Sequence, residues 1–219
     1  EMNFSEAINL AMIREMETDP TVFAFGVDVP DHKRTYGTGK ELVEKFGIRR
    51  YFGSPLSEAG ATGIAIGAAI CGLRPIHIHA RADFALLAMN QLVNVASMKS
   101  SISSGETTVP MVIRAMIGRG WGQGPQHSKS LQAWFAHVHG LRVAMPATAF
   151  DAKGLLMESI FGQDPTIIIE GRPLFTMKDE VPEEPYRVPF GQAITRREGS
   201  DCTLVAFGYM VPIALQAAE

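Results

Sequence analysis

Two side chains in this sequence are placed where they could do chemistry: a glutamate at the start of an apolar helix and a histidine after a glycine-rich loop. Glu58 follows Ser57 and precedes an uncharged run of alanine, glycine and isoleucine. That order predicts a helix that begins at Ser57, whose hydroxyl caps a first-turn N–H group while Glu58 meets the positive end of the helix dipole. A carboxyl group beside such an apolar wall suits strong hydrogen bonding. The plain alternative is a glutamate that only satisfies the helix end and faces solvent.

Histidines supply the other candidates. His127 follows the glycine-rich segment 118–124, where it could act as an acid or base, although a solvated loop histidine is commoner. The segment matches neither the phosphate-binding loop nor the dinucleotide fingerprint. His77 and His79 alternate with isoleucines, so both point to one face of a predicted strand. They could ligate a metal, but no third ligand is placed, and a polar face is the favoured interpretation.

The helix that carries Glu58 has glycines on one side. Gly60, Gly63 and Gly67 recur at spacings of three and four residues, which puts them on one face. Each glycine lowers helix propensity by roughly 1 kcal/mol relative to alanine, and the close approach of another backbone would compensate. An apolar helix with such a face is predicted to be buried.

Buried strands alternate with helices over the first 170 residues, so the sequence predicts a doubly wound parallel α/β sheet with its function at the carboxyl ends of the strands. The predicted strands are 22–27, 76–79, 110–116, 141–145 and 167–170. The predicted helices are 4–17, 42–46, 57–70, 83–100, 130–137 and 151–161.

The chain changes character after this first domain, which we place at residues 1–170. Four of the 13 prolines fall between residues 171 and 190, with acidic residues and no apolar period, which predicts a linker. Beyond it, residues 201–207 are predicted to form a strand, and a helix is predicted to begin at Met210. Residues 191–219 are too few to bury a core of their own, so we expect the truncated start of a second, carboxyl-terminal α/β domain.

Composition excludes several classes of protein. A net charge of −3 and a pI near 6.1 give no basic surface for nucleic acid. The two cysteines, Cys71 and Cys202, lie far apart, which favours buried free thiols in a reducing compartment. No uncharged apolar run reaches the ~18–20 residues that a membrane span needs, and the amino terminus lacks a signal-peptide pattern. We therefore expect a cytoplasmic protein with no membrane contact.

An ordered series of motifs covers nearly the whole chain. It comprises Phe52–Glu58, Ala82–Phe84, Asn90–Asn94, His127–Ser128, Ala133–His137, Met145–Pro146, Asp151–Leu155 and Gly191–Ala193. The series resembles the beta subunit of thiamine-diphosphate-dependent 2-oxo acid dehydrogenases, the decarboxylating component of the pyruvate and branched-chain complexes and of acetoin-type relatives. The resemblance implies a transketolase-like pyrimidine-binding domain and oxidative decarboxylation of a 2-oxo acid, with pyruvate the first expectation, followed by acyl transfer to lipoyl.

The resemblance implies a role for each matching residue. Glu58 matches the glutamate that hydrogen-bonds the N1′ nitrogen of the cofactor's aminopyrimidine and favours the tautomer that removes the thiazolium C2 proton. Leu56 matches an apolar residue near the pyrimidine, and Phe84 matches the aromatic residue that stacks on it. His127 matches a histidine on the thiazolium side that handles intermediate charge or acyl transfer.

The resemblance also implies metal ions and partners. Carbonyl groups of a loop bind structural potassium in relatives, and the matching residues here are Ser159, Ile160, Gly162 and Asp164. Relatives usually carry aspartate at the position of Gly162. The Gly-Asp-Gly motif for magnesium is missing, so an alpha subunit would hold magnesium and the diphosphate. An α2β2 heterotetramer, in which the beta subunits self-associate and the lipoyl-bearing acyltransferase docks, is implied.

The sequence departs from the family's pattern around the cofactor pocket. Ala80 and Arg81 stand where a glutamine and an aromatic residue usually precede Ala82, and Gln126 stands where a tyrosine often precedes the histidine. Arg81 would suit a substrate carboxylate or a salt bridge at a surface or subunit interface. Two alternatives stay open: another split thiamine-diphosphate enzyme of transketolase or decarboxylase type, and a non-catalytic relative that keeps the fold for assembly.

Overall fold

Helices and strands alternate along the chain as the sequence predicts. The computed structural model describes residues 1–31, 33, 35–118 and 122–219. The helices are α1 (Phe4–Thr18), α2 (Leu42–Phe46), α3 (Glu58–Ile70), α4 (Ala82–Ala85), α5 (Lys99–Ile102), α6 (Gln132–Ala136), α7 (Ala149–Phe161) and α8 (Met210–Ala217). The strands are β1 (Met2–Asn3), β2 (Val22–Gly26), β3 (Tyr51–Gly53), β4 (Arg74–His79), β5 (Val112–Ile117), β6 (Arg142–Ala144), β7 (Thr166–Gly171) and β8 (Lys178–Asp179).

Six of these strands form one parallel sheet in the order β3-β2-β4-β5-β7-β6. Helices α1 and α7 pack on one face, and α3, α4 and α6 pack on the other. The predicted doubly wound architecture is therefore confirmed. From β2 the chain adds β3 on one side, and it then returns to add β4 on the other side. Such a switch point leaves a crevice at the carboxyl ends of the two neighbouring strands, here β2 and β4.

Two close approaches fix the sheet around this crevice. A Cβ atom at Gly26 would lie 2.2 Å from the carbonyl oxygen of Ile78, so only glycine lets β2 end against β4 there. In the same sheet, Arg114 on β5 and Glu170 on β7 form a fully buried, bidentate ion pair, with Nη2 2.9 Å from Oε2. The remaining Nη1 lies 3.3 Å from the sulfur of Met12 on α1.

The prediction of one helix over residues 83–100 is wrong, because the structure divides this segment into several helical pieces. Between α4 and α5 the backbone forms a 3₁₀ turn (Leu86–Ala88) and a π-helical stretch (Gln91–Ala96). The Ser97 N–H group bonds to the carbonyl of Leu92, five residues back, and the Ser97 hydroxyl donates to the Val93 carbonyl at 2.7 Å. A serine side chain that competes for a helix carbonyl in this way widens the turn.

The strand predicted over 201–207 is also wrong. Val205 and Phe207 are exposed, and among the described residues no strand lies alongside to complete a ladder. The helix predicted from Met210 is confirmed as α8. The cysteines predicted to be buried are both exposed. No helix in the described part of the chain is long and apolar enough to cross a bilayer.

The predicted linker, residues 171–190, is tied to the first domain. Its β8 pairs antiparallel with β1, and its Tyr186 ring stacks on Phe150 at 4.4 Å. Lys153 on α7 donates from Nζ to the carbonyls of Pro182, Glu183 and Glu184. The ammonium group therefore holds three consecutive carbonyls of a backbone stretch that lies outside any strand. The domain boundaries themselves stay a prediction.

Candidate active site

A cavity of about 380 Å³ lies at the carboxyl ends of β2 and β4, where the sheet topology reverses. Leu56, Glu58, Phe84 and His127 all line it. They come from the loop after β3, the start of α3, α4 and a 3₁₀ turn (Pro125–His127). The structure thus brings together four residues that the sequence spreads over 72 positions.

Glu58 is the first residue of α3 and is half-buried at the mouth of the cavity. The cap predicted for Ser57 is wrong, since its side chain makes no hydrogen bond to a first-turn N–H group. The backbone of Ser57, at φ −156° and ψ 75°, does start the helix, and its carbonyl accepts from Ala61 at 2.7 Å. The first-turn N–H groups without a side-chain cap give this end of the helix its positive potential, next to the Glu58 carboxyl group.

The glycine face of α3 is bare, contrary to the prediction that it is buried. No atom lies within 4 Å of the position that a Cβ would take at Gly63 or Gly67, and Leu56 is 82% exposed. The opposite face packs into the core through Ala61, Ala65 and Ile66. Among the described residues, one wall of the cavity and one face of the helix are therefore uncovered.

The rings of Phe84 and His127 contact each other in the lining of the cavity. Their ring centroids are 5.6 Å apart with an interplanar angle of 68°, an edge-to-face contact, and both side chains are half-buried. Such contacts contribute about 0.5–1.5 kcal/mol beyond the area they bury. The contact fixes the imidazole of His127 next to the ring that is predicted to stack on a cofactor.

The histidine pair of β4 forms the inner wall. His77 stacks on Phe25 at 4.7 Å and its Nδ1 lies 3.2 Å from the Thr62 hydroxyl, while the rings of His77 and His79 are 4.3 Å apart. Burial lowers the pKa of His77 to about 2, helped by the neighbouring His79, and burial lowers the pKa of His79 to about 4. Both imidazoles are therefore neutral at physiological pH.

These histidines do not form a metal centre with their neighbours. No group of three His, Cys, Asp or Glu side chains within the described ranges is close enough to hold a metal ion. The two rings do lie on one face of β4, as their alternation with isoleucines predicts. The Nε2 atom of His79 is buried and has no hydrogen-bond partner.

Arg81 is buried beside the cavity and is not on the surface. Its Nε lies 2.9 Å from the side-chain oxygen of Gln123, and its Nη2 donates to the hydroxyl of Tyr36 at 2.8 Å. Its Nη1 donates to the carbonyl of Ala80 at 2.6 Å. The Tyr36 ring is also covered by Arg172, whose guanidinium carbon lies 4.3 Å from the ring centroid. The guanidinium of Arg81 is thus held in one orientation by three neighbours.

The potassium loop, which we define as residues 159–164, lies at the end of α7 and is not part of the cavity. Arg74 donates from Nη1 to the carbonyls of Ile160 at 2.9 Å and Gly162 at 3.2 Å. The other two predicted ligands also have protein donors: the Gly162 N–H group bonds to Ser159 and the Thr166 hydroxyl to Asp164. A guanidinium already faces these carbonyls, so the loop as it stands does not fit a bound potassium ion.

Sequence reasoning placed neither Tyr36 nor Gln123 in the site, and it gave Ser54 no role. All three line the cavity, and the Ser54 hydroxyl is buried without a partner. Tyr36 and Gln123 lie in loops, where no period or motif marks them, and Ser54 lies within the motif Phe52–Glu58, which gives it no role of its own. The His-x-His spacing at the end of a predicted strand was the one signal that pointed to the inner wall.

Comparison with known proteins adds independent findings. The family described as "Transketolase, pyrimidine binding domain" matches residues 1–178. The chain is 40% identical over 223 residues to the pyruvate dehydrogenase E1 component subunit beta-2, mitochondrial, of Oryza sativa subsp. japonica, covering 100% of this chain and 59% of that protein. It is 40% identical over 219 residues to the 2-oxoisovalerate dehydrogenase subunit beta of Bacillus subtilis, covering 100% of this chain and 67% of that protein.

A solved structure described as a split gene transketolase, inactive beta4 tetramer, superposes with a TM-score of 0.76 at 21% identity, covering 97% of this chain and 65% of that one. At this identity the likeness concerns the fold alone. The chain spans about three fifths of the length of the first curated relatives that it matches.

Proposed function

The chain belongs to the family of transketolase pyrimidine-binding domains, among relatives that are beta subunits of 2-oxo acid dehydrogenases, and we propose that it is the beta subunit of such a dehydrogenase. The observation that carries the proposal is the convergence of Leu56, Glu58, Phe84 and His127 on one cavity. The substrate class is a 2-oxo acid, with pyruvate the first candidate, and lipoyl is the proposed acyl acceptor.

The cavity fits the pyrimidine end of thiamine diphosphate. It offers a half-buried carboxyl group at Glu58, an aromatic ring at Phe84 and a buried hydroxyl without a partner at Ser54. A flat heterocycle with ring nitrogens and an amino group requires these three kinds of contact. The described residues form no acidic cluster for magnesium, so we assign magnesium and the diphosphate to an alpha subunit.

When bound, thiamine diphosphate supplies the thiazolium carbon and the electron sink that allow a 2-oxo acid to lose carbon dioxide. Glu58 holds the proton at the pyrimidine ring nitrogen N1′, because a carboxyl group in a low-dielectric site forms a strong hydrogen bond there. Phe84 and Leu56 pack against the ring and keep water away from it. His127, fixed by Phe84, holds or gives a proton at the oxygen of the substrate carbonyl.

The open geometry of the site supports the need for a partner. Leu56 lines the cavity and is exposed, and the glycine face of α3 is uncovered. An alpha subunit that covers them would exclude water and raise the strength of every polar contact inside. We propose an α2β2 heterotetramer in which beta subunits also self-associate and the lipoyl-bearing acyltransferase docks.

The test is 2-oxo acid decarboxylation with an artificial electron acceptor, using full-length protein co-expressed with its candidate alpha subunit. Activity is expected to require both chains, magnesium and thiamine diphosphate. Glu58→Gln should lower kcat by about 100-fold or more, whereas Glu44→Gln, at an exposed position on α2, should match the parent. A folded heterotetramer that binds the cofactor yet turns over no 2-oxo acid would overturn the proposal.

A further inference from the structure

The turn that carries His127 is not held in place by burial. None of the residues of the 3₁₀ turn Pro125–His127 is buried. The turn closes on itself, because the Gly124 carbonyl accepts from the His127 N–H group at 3.4 Å and from the Ser128 hydroxyl at 2.9 Å. A segment with little buried area opens easily unless polar contacts hold it. The contacts that tie this turn to the rest of the domain therefore decide where the imidazole of His127 lies.

An ion pair joins the turn to α4. Nζ of Lys129 lies 2.9 Å from Oδ1 of Asp83 and donates to the carbonyl of Gln126 at 3.2 Å. Gln126 directly precedes His127, and Asp83 directly precedes Phe84, whose ring contacts the imidazole. One ammonium group therefore connects the backbone beside His127 to the helix that carries its ring partner. We call this contact the Asp83–Lys129 clip.

The burial of Asp83 makes this contact stronger than an ordinary surface ion pair. The Asp83 side chain is 6% exposed, and its Oδ2 atom is buried without a hydrogen-bond partner among the described residues. A buried carboxylate is costly unless a charged partner compensates it. Two solvated side chains, in contrast, gain little from pairing. The charge of Asp83 therefore keeps the Lys129 ammonium group in one place.

We propose that Asp83 and Lys129 are positioning residues, which hold the turn so that the imidazole of His127 stays against Phe84 in the cavity lining. The inference rests on the proposed function and adds two residues to it. Neither residue lines the described part of the cavity, so both act through His127. A shift of about 1 Å in a catalytic group can lower the rate by about 100-fold. Glu58 belongs to α3, a separate element, so its action should not depend on the clip.

The experiment compares two readouts on the reconstituted heterotetramer of the full-length chain. Decarboxylation of a 2-oxo acid with an artificial electron acceptor gives kcat and KM. Hydrogen–deuterium exchange at the thiazolium C2 of bound thiamine diphosphate reports the action of Glu58. Asp83→Asn and Lys129→Met should each lower kcat by about 10-fold or more, with KM and C2 exchange at the parent's values. A general loss of structure would slow C2 exchange as well.

A double-mutant cycle tests whether the two residues act as one unit. If they do, the double variant should lose no more of kcat than the more impaired single variant. The double variant also removes the unpaired buried carboxylate that Lys129→Met leaves, so it folds even if that single variant does not.

Two further variants serve as controls. Lys129→Arg keeps the positive charge and the donors, so it should restore most of kcat. Lys45→Met removes an exposed lysine on α2 and should match the parent in both readouts.

The outcomes separate this inference from the proposed function. Parental kcat in Asp83→Asn and in the double variant would overturn the inference and leave the dehydrogenase intact. An equal loss of kcat and of C2 exchange would also overturn it, because the pair would then support the whole cavity. Losses that multiply in the double variant would show two separate effects and no clip. A parent that turns over no 2-oxo acid would reject the proposed function and the inference with it.

Discussion

Glu15 provides a stability prediction whose size follows from its position in the fold. It lies on the buried face of α1 and is 4% exposed. Burial raises the pKa of its carboxyl group to about 7; the positive charge of Arg187 opposes this rise and the negative charge of Asp19 adds to it. The folded chain therefore binds a proton at Glu15 more tightly than the unfolded chain does.

The sign of the pH dependence follows from this difference. The protonated carboxyl group contributes its full stability below pH 4.5, the pKa of this group in the unfolded chain. That contribution is lost as the pH rises through about 7, its pKa in the folded chain. Since each pKa unit corresponds to about 1.4 kcal/mol, ionisation costs the folded chain about 3 kcal/mol above pH 7. Glu15→Gln replaces the protonated carboxyl by a neutral amide of the same size, so the variant does not lose this stability when the pH rises.

The assay is thermal unfolding of parent and variant between pH 4.5 and 8. The two should melt together at the acidic end, and the variant should melt about 6–12 °C higher at pH 8. Other titrating groups, His77 and His79 included, act on both proteins and cancel in the difference. Glu17→Gln, an exposed glutamate on the same helix, should change the free energy of unfolding by no more than about 0.5 kcal/mol at any pH. A Glu15→Gln difference that stays constant from pH 4.5 to 8 would refute the reasoning.

Three further predictions follow from contacts in the core and at its margins. Glu170→Gln leaves Arg114 buried without its carboxylate, so urea denaturation should show a loss of about 3–5 kcal/mol in the free energy of unfolding; a loss under 1 kcal/mol would contradict a buried ionic pair. Gly154→Ala puts a methyl group 2.4 Å from Val188, so limited proteolysis should cut the linker faster, and unchanged cleavage would show that the linker adapts without detaching. Arg74→Met removes the donor to two carbonyls of the potassium loop, with an expected loss of about 1–3 kcal/mol. The parent should melt at the same temperature in potassium and sodium buffers, and a rise specific to potassium would restore the predicted cation site.

The sheet could be predicted because its strands carry a local signal. Runs such as Ile167–Ile169 and Met111–Ile113 are apolar without alternation, which is typical of strands buried on both faces of a parallel sheet. The reversal of topology at β2 and β4 then places function at their carboxyl ends. Glu58 and His127 stand at a helix start and a loop end, but position alone leaves a solvent-facing role open for each, and their predicted roles rest on the family resemblance.

Other features carry no local signal. Tyr36 and Gln123 reach Arg81 across 45 and 42 residues, and neither belongs to a motif. The sequence predicts burial for the bare face of α3 because an exposed helix face that is apolar and rich in small residues has the same pattern as a core face. The 3₁₀ and π-helical turns after α4 also carry no local signal, and the bond from the Ser97 hydroxyl to the Val93 carbonyl cannot be foreseen from propensity.

The measurement that tests the central claim most directly is hydrogen–deuterium exchange at the thiazolium C2 of thiamine diphosphate bound to the reconstituted heterotetramer. If Glu58 is the carboxyl group that acts on the pyrimidine, Glu58→Gln should slow this exchange by about 100-fold or more, while the cofactor stays bound at saturating concentration. Glu44→Gln should exchange at the parent's rate. Equal rates in Glu58→Gln and the parent would contradict the account, because Glu58 would then not be the carboxyl group that acts on the pyrimidine.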